Sequence, residues 1–263
     1  MYKHFLILIL VSVICFSAGC INTPPLYLAE ETSIEVADSI LVTLKATVSE
    51  AKTAADSAAL GNMDEYSAKQ ALAVLYQRAP LVHDLLIADE NGIVVAAYPD
   101  NIHIQKGMDL SAYPPNKETF TETDIYLSEY MTAQNGQKVY LLSVPIKIDG
   151  KYAGYVSLSF DPYRLFGEKQ QEISEKGLGL MVTQTDGILV YDRDIWESGK
   201  NSLTDPAYTD IQKTISNVCG NVSGHDFYSF YADETAEVVN KEIWWQTVSF
   251  GERDWRVAIT QEA

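Results

Sequence analysis

Apolar positions recur in steps of three and four from Ile34 through Ala37, Leu41, Leu44, Val48 and Ala51 to Ala55. With 3.6 residues per turn, that spacing puts them on one helical face, and Glu35, Asp38, Lys45, Glu50, Lys52 and Asp56 fall on the others. The pattern predicts one long amphipathic helix beginning near Leu26. Its many alanines and threonines make a thin seam for a free-standing coiled coil. Packing on a sheet is therefore the leading account, and pairing with a second copy the alternative. Gly61 and Asn62 interrupt the helix; Asn62 with Glu65 reads as a capping pair for a second one running to about Arg78, with Ala68, Leu72, Leu75 and Ala79 inward. Pro80 ends it.

The period then changes from 3.6 to 2. Residues 85–88 and 93–98 flank Asp89-Glu90-Asn91-Gly92, a hairpin signal because Asn and Gly tolerate the positive φ of a tight turn. The same acidic turn is rejected as a calcium loop, since Gly92 is misplaced and no glutamate closes a 12-residue loop. Residues 139–148 and 152–160 form a second hairpin around Asp149-Gly150. In its closing strand Tyr155, Ser157 and Ser159 face one side, and Val156, Leu158 and Phe160 the other. The apolar side is expected against the long helix. The hydroxyl side is expected to face the irregular, tyrosine-rich segment between the hairpins.

After a short charged helix the grammar repeats. Strands are expected at 178–183 and 188–191, a helix near 207–218, and strands at 226–231, 241–250 and 254–260. The halves share an order of elements rather than residues, a weak internal repeat of two α+β modules. The expected division is 1–19 leader, 20–80 stalk and helices, 81–165 first module, 166–177 connecting helix and 178–263 second module.

The leader adds an address. Lys3 and His4 precede an apolar run from Phe5 to Ala18 that covers only about 21 Å of a roughly 30 Å hydrocarbon core. That suits export better than a membrane span. Ser17, Ala18 and Gly19 before Cys20 resemble a lipoprotein signal with Cys20 as the lipidated residue, although Ser17 stands where leucine is usual. A retained helical anchor is the alternative, and either way the remainder is expected on the extracytoplasmic face of the membrane. A net charge of −17 argues against nucleic-acid binding. Cys219 is then left without a cysteine partner and reads as core filler. Asn221-Val222-Ser223 is the sole glycosylation sequon, and no motif for a hydrolase, a metal or a cofactor stands out.

The order of the long helix, LLIADENGIVVAAYP, GMDLS, VYLLSVPIKIDGKYAGYVSLSFD and DGILVYDRD resembles the double Cache (dCache, tandem PAS-like) extracytoplasmic sensor domains over about residues 30–260. The resemblance implies two curved antiparallel sheets backed by the long helix, with ligand in the membrane-distal module 81–165. It also implies continuation into a cytoplasmic output, whereas this sequence ends at Ala263, so a sensor reporting to a separate membrane-bound partner is expected. Amino-acid binders of that family carry an arginine with an aromatic before the pocket strands and an aspartate on the closing strand. Here the matching region reads Pro115-Asn-Lys-Glu-Thr-Phe120, with Lys117 as the basic residue, and Ser159 stands for the aspartate. Candidate ligand contacts are Tyr113, Phe120, Tyr126, Ser128, Tyr130, Tyr140, Ser157 and Ser159, with Asp124 or Glu129 balancing a cation. The expected ligand is an amino acid, an amine or a short carboxylate. A homodimer through the long helix, around an unoccupied pocket, is the competing role.

Overall fold

A computed structural model describes residues 26–100, 103–115, 118–122, 124–133, 136–232 and 237–263. The leader with Cys15 and Cys20, the Pro24-Pro25 stalk and Lys117 lie outside them. Helix α1 (Leu26–Leu60) has 35 residues, about 50 Å of helix. It buries Ala37, Leu44, Val48, Ala51 and Ala55 as the spacing predicts, but also Val36 and Ile40, while Ile34 is exposed. The buried face is rotated and widened relative to a single stripe because α1 lies across two sheets rather than against one seam.

Helix α2 (Glu65–Arg78) turns back along α1. Its cap is Asp64, not Asn62: the Asp64 carboxylate accepts from the amides of Tyr66 and Ser67 at 3.0 and 3.1 Å. Asn62 and Met63 instead carry the left-handed turn, with φ of 50° and 55°. A cap must adjoin the first turn to reach its free amides, and the two turn residues displace Asn62 too far. Ala68, Leu72, Leu75 and Ala79 are buried as expected.

The first sheet contains β1 (Val82–Asp89), β2 (Val94–Tyr98), β3 (Tyr126–Leu127), β4 (Met131–Thr132), β5 (Lys138–Ile148) and β6 (Lys151–Phe160). Its main path runs β2-β1-β6-β5-β3, with β4 also on β5 and every pair antiparallel. The segment between the hairpins is less irregular than its sequence implies, holding β3, β4 and the four-residue helix α3 (Thr119–Glu122). Helix α4 (Pro162–Ser174), capped by Asp161, leads to the second sheet. That sheet contains β7 (Gly179–Gln184), β8 (Leu189–Tyr191), β9 (Ser223–Ala232), β10 (Glu237–Phe250) and β11 (Arg253–Glu262), with α5 (Gln212–Gly220) on one face. The expected helix near 207–218 divides into a 3-10 turn, Pro206–Tyr208, and α5.

The second sheet runs β8-β7-β11-β10-β9. Set β4 aside and number the strands within each sheet, and both have the order 2-1-5-4-3. The repeat that the sequence shows only as an order of elements is thus a repeat of topology. Helix α1 packs on β5 and β6 of the first sheet and on β10 and β11 of the second. One hydrophobic cluster runs through all of it, from Ile40 and Leu44 to Leu142, Val156 and Phe160 on one side and Trp244, Val257 and Ile259 on the other.

Leu44 is 1 % exposed at the centre of that cluster. Leu44→Ala is expected to cost about 2–5 kcal/mol. Because the core is shared, tryptophan fluorescence and far-UV circular dichroism should report the same lowered urea midpoint.

Candidate functional site

Alternation along β6 sends Val156, Leu158 and Phe160 into the α1 cluster and Tyr155, Ser157 and Ser159 to the opposite face. On that face a second cluster gathers Leu86 and Ala88 of β1, Val94 of β2 and Tyr155 of β6 beneath Phe120 of α3. Met108, Leu110, Tyr126 and Tyr152 are partly buried around it. Phe120 lies 6.0 Å from Tyr152 and 6.4 Å from Tyr155, ring centre to ring centre, at tilts of 31° and 37°. The serines below are linked into the sheet. Ser143 Oγ donates to Ser157 Oγ at 2.8 Å, and Ser159 Oγ accepts from the Asp84 amide at 3.2 Å.

Four of the eight candidates therefore share this face: Phe120, Tyr126, Ser157 and Ser159. Tyr113 is exposed on a turn. Ser128 is buried, its hydroxyl accepting from the Leu141 amide and donating to the Glu129 carbonyl. Tyr140 is on the α1 face of β5, fully buried, and belongs to the junction between the sheets rather than to the hydroxyl face. Its Oη donates to Gln184 Oε1 at 3.0 Å and accepts from Trp255 Nε1 at 3.1 Å. Tyr130 stacks on Tyr140 at 5.3 Å, and its Oη lies 2.6 Å from Ser198 Oγ of the second half. Trp244, Trp245 and Trp255 of the second sheet are all buried.

The proposed counter-ions are already used. Asp124 pairs with Lys147 at 3.1 Å and Glu129 with Arg253 at 3.5 Å. The charges that bear on the rings come from elsewhere. Burial, then Tyr155, Asp89, Glu118 and Glu90, pushes the Tyr152 phenol up, and burial with Asp89 pushes Tyr155 up to about 12. Asp89 also organises the hairpin, its carboxylate accepting from the amides of Asn91 and Ile93 at 2.9 Å each.

Tyr152 is the contact that simple alternation misses, since residues 155, 157 and 159 put Ala153 on this face and Tyr152 on the other. The register slips between Ile146 and Lys147, where Gly154 opposite adopts φ 151°. The slip sends Ala153 to the α1 cluster and returns Tyr152 to the ring cluster. A glycine inside a strand is the sequence signal for such a bulge. No side chain fits there: a Cβ on Gly154 would stand 2.1 Å from the Ala88 carbonyl oxygen.

The second sheet treats its corresponding face differently. There α5 buries Ile215, Val218 and Cys219 against Met181, Trp245 and Ala258. Arg256 is buried on the same side, donating to the Val218 and Cys219 carbonyls at 3.2 Å each and so capping α5 from below. A cleft of about 520 Å³ lies on the helix side of the molecule, between α1, the end of α2 and α4, where Glu50, Arg78, Arg164 and Glu168 line it. None of the sequence candidates lines it.

Residues 40–162 match the family model described as HK/GC/Chemotaxis protein-like, sensor domain. No curated protein matches the sequence. Among solved structures, an extracellular ligand-binding receptor from Desulfohalobium retbaense superposes with a TM-score of 0.71 at 19% identity, over 89% of this chain and 40% of that one. The chain thus spans well under half of that receptor. The ligand-binding domain of the Pseudomonas fluorescens chemoreceptor CtaA in complex with L-serine gives 0.67 at 18% identity, covering 90% and 96%. That of the Pseudomonas aeruginosa amino acid chemoreceptor PctC with GABA gives 0.66 at 15%, covering 88% and 96%. At these identities the likeness is one of fold, and it bears out the double Cache architecture implied by the sequence.

Gly154→Ala is expected to destabilise the protein by about 2–4 kcal/mol, measured by urea unfolding, because both its φ and the Ala88 carbonyl oppose a side chain. The buried phenols give a pH signature. Tyr126, Tyr130, Tyr152, Tyr155, Tyr163 and Tyr228 all ionise above the ordinary tyrosine value of 10.0 when folded. The unfolded chain therefore releases protons first. Stability should hold below pH 10 and fall as pH rises from there through about 12, the Tyr155 value. Unfolding midpoints across that window, with tyrosinate absorbance as the second probe, check the sign.

Proposed function

We propose that this chain is an extracytoplasmic, membrane-anchored sensor that binds a small molecule on the ring-lined face of the first sheet. The observation that carries the reading is the contrast between the two sheets. In the second, the face away from α1 is closed by a packed apolar helix. In the first, it is covered by a segment whose only helix among the described residues has four residues and which brings rings and hydroxyls together. Binding sites favour such apolar walls with a few placed polar groups. The family-model match and the relatives crystallised with L-serine and GABA support a small solute, whether amino acid, amine or short carboxylate. Tyr155 is 2 % and Phe120 8 % exposed, so ligand enters by displacing the segment that carries Phe120.

Anchoring through Cys20 or a retained leader, and report to a separate membrane-bound partner, complete the proposal. Among the described residues no helix is long and apolar enough to cross a membrane. The competing reading, a scaffold that pairs through α1, has little surface to use. Leu44 is buried, and the large apolar side chains exposed on the described part of α1 are the isolated Ile34, Val42 and Leu60. Scattered apolar residues of that kind are ordinary on a monomer.

A thermal-shift screen of the purified protein against amino acids, amines and short carboxylates tests the proposal. Ligand at a hundred times its Kd stabilises by about 2.7 kcal/mol, a rise of roughly 5–10 °C for a chain this size. Phe120→Ala and Tyr155→Ala should abolish the rise. The reading fails if no solute shifts the transition, or if the shift survives both substitutions.

A further inference from the structure

We propose that the cleft on the helix side of the molecule is a binding site of its own, separate from the ring-lined face. Its ligand would be a small carboxylate that carries a hydrogen-bond donor at its other end. The cleft holds about 520 Å³ between α1, the end of α2 and α4, within the range of small-molecule sites. Its charged lining is Glu50 of α1, Arg78 of α2, and Arg164 and Glu168 of α4. Glu50 and Arg78 pair with each other at 3.4 Å. Arg164 and Glu168 stand one helical turn apart, yet among the described residues neither forms an ion pair with the other or with anything else.

The donors of Arg164 are unevenly spent. Nη1 alone reaches protein, towards the Pro80 and Val82 carbonyls at 3.4 Å each, which is long for an N–H···O bond. Nε and Nη2 donate to nothing among the described residues. Those two N–H groups share one edge of the guanidinium plane and can take a carboxylate with two parallel bonds. Arg253 spends the same edge on the Leu127 carbonyl and Glu129, and Arg256 spends it on the last carbonyls of α5.

The facing wall offers acceptors. Thr43 and Thr47 line it from α1, and their hydroxyl protons already go to the Ser39 and Thr43 carbonyls at 2.9 and 3.0 Å. Their oxygens, like the Glu168 carboxylate, are left to accept. A ligand end that meets them has to donate, as a hydroxyl or an ammonium does. A second carboxylate there would meet Glu50 and Glu168 instead. Ala46, Ala79, Pro80 and Leu81 supply the apolar remainder of the lining. The cleft also sits at a junction. Tyr163, on its wall, donates to the Asp192 carbonyl at 3.0 Å, and its ring lies 4.7 Å from that of Tyr191 in the second sheet. Pro80 and Val82 lead into β1 of the first.

Calorimetric titration of the purified full chain with glycolate and 4-hydroxybutyrate, short and long members of the class, against butyrate and succinate, tests the inference. At least one hydroxy acid is expected to bind severalfold more tightly than butyrate and about tenfold more tightly than succinate. Arg164→Gln should weaken it at least about tenfold, and Phe120→Ala should leave it unchanged. Glu168→Gln, an exposed change, should narrow the gap to succinate. Arg164→Lys, which keeps the charge and loses the two-pronged edge, should weaken binding in the same direction and replaces the glutamine variant if that one does not fold. The inference is overturned if neither hydroxy acid binds, if butyrate or succinate binds more tightly than both, or if binding survives the substitutions at Arg164. If Phe120→Ala removes the binding, the solute sits on the ring-lined face; the cleft is then overturned and the proposed function stands.

Discussion

One helix face has to satisfy two sheets. Helix α1 carries a run of small and branched apolar residues too long for either sheet alone, and the two sheets meet it side by side in one continuous core. Each leucine-sized side chain removed from water there contributes about 1.5–3 kcal/mol, so the shared wall stabilises both halves at once. The arrangement also decides what remains for function. With one face of each sheet committed to α1, every further specialisation must occur on the opposite faces. The second sheet commits that face to α5, and the first leaves it to the ring-bearing segment between β2 and β5.

That segment has two attachments. On one side Phe120 and Tyr126 cover the hydroxyl face of the first sheet. A few residues further on, the Leu127 carbonyl accepts from Arg253 Nε at 3.5 Å, Glu129 pairs with the same guanidinium, and Tyr130 meets Ser198. Lys138 Nζ adds a bond to the Ser198 carbonyl at 2.5 Å. Beneath them Tyr140, Gln184 and Trp255 form a buried hydrogen-bonded set that joins the sheets, with Phe160 and Tyr130 stacked on Tyr140. Buried polar groups of this kind are costly when broken and hold the two halves in one relative position. The covering segment is therefore ordered by the second half as much as by the first.

The fold was legible because its signals are local. Period 3.6 gave α1 and α2, Asn91-Gly92 and Asp149-Gly150 gave the hairpins, and alternation placed Val156, Leu158 and Phe160 on the helix side. The candidate face was legible only where the same alternation applied, which is why Ser157 and Ser159 fall on the face expected of them. Tyr140 and Tyr130 read as ligand contacts because nothing in the sequence says that a tyrosine will find Gln184, Trp255 or Ser198 some 44 to 115 residues away. Tyr152 was missed for the opposite reason. The bulge at Gly154 reverses the phase of the strand over its first residues, and a period-2 count carried through the glycine lands on Ala153 instead.

The same distinction between neighbours in sequence and neighbours in space governs charge. Asp124 and Glu129 flank Tyr126 and Tyr130 along the chain, yet each is spent on a cation from another element. Asp89 ends β1 and Glu90 follows it, more than 60 residues before Tyr152, and the antiparallel pairing of β1 with β6 brings them to the rings. A net charge of −17 makes a locally acidic patch unremarkable by composition alone. What distinguishes this one is that the rings it surrounds are buried, where charges are screened less than at the surface and act more strongly. An acidic protein generally draws cations towards it, and on the second sheet Lys241 already stands over the Phe230 ring at 5.5 Å.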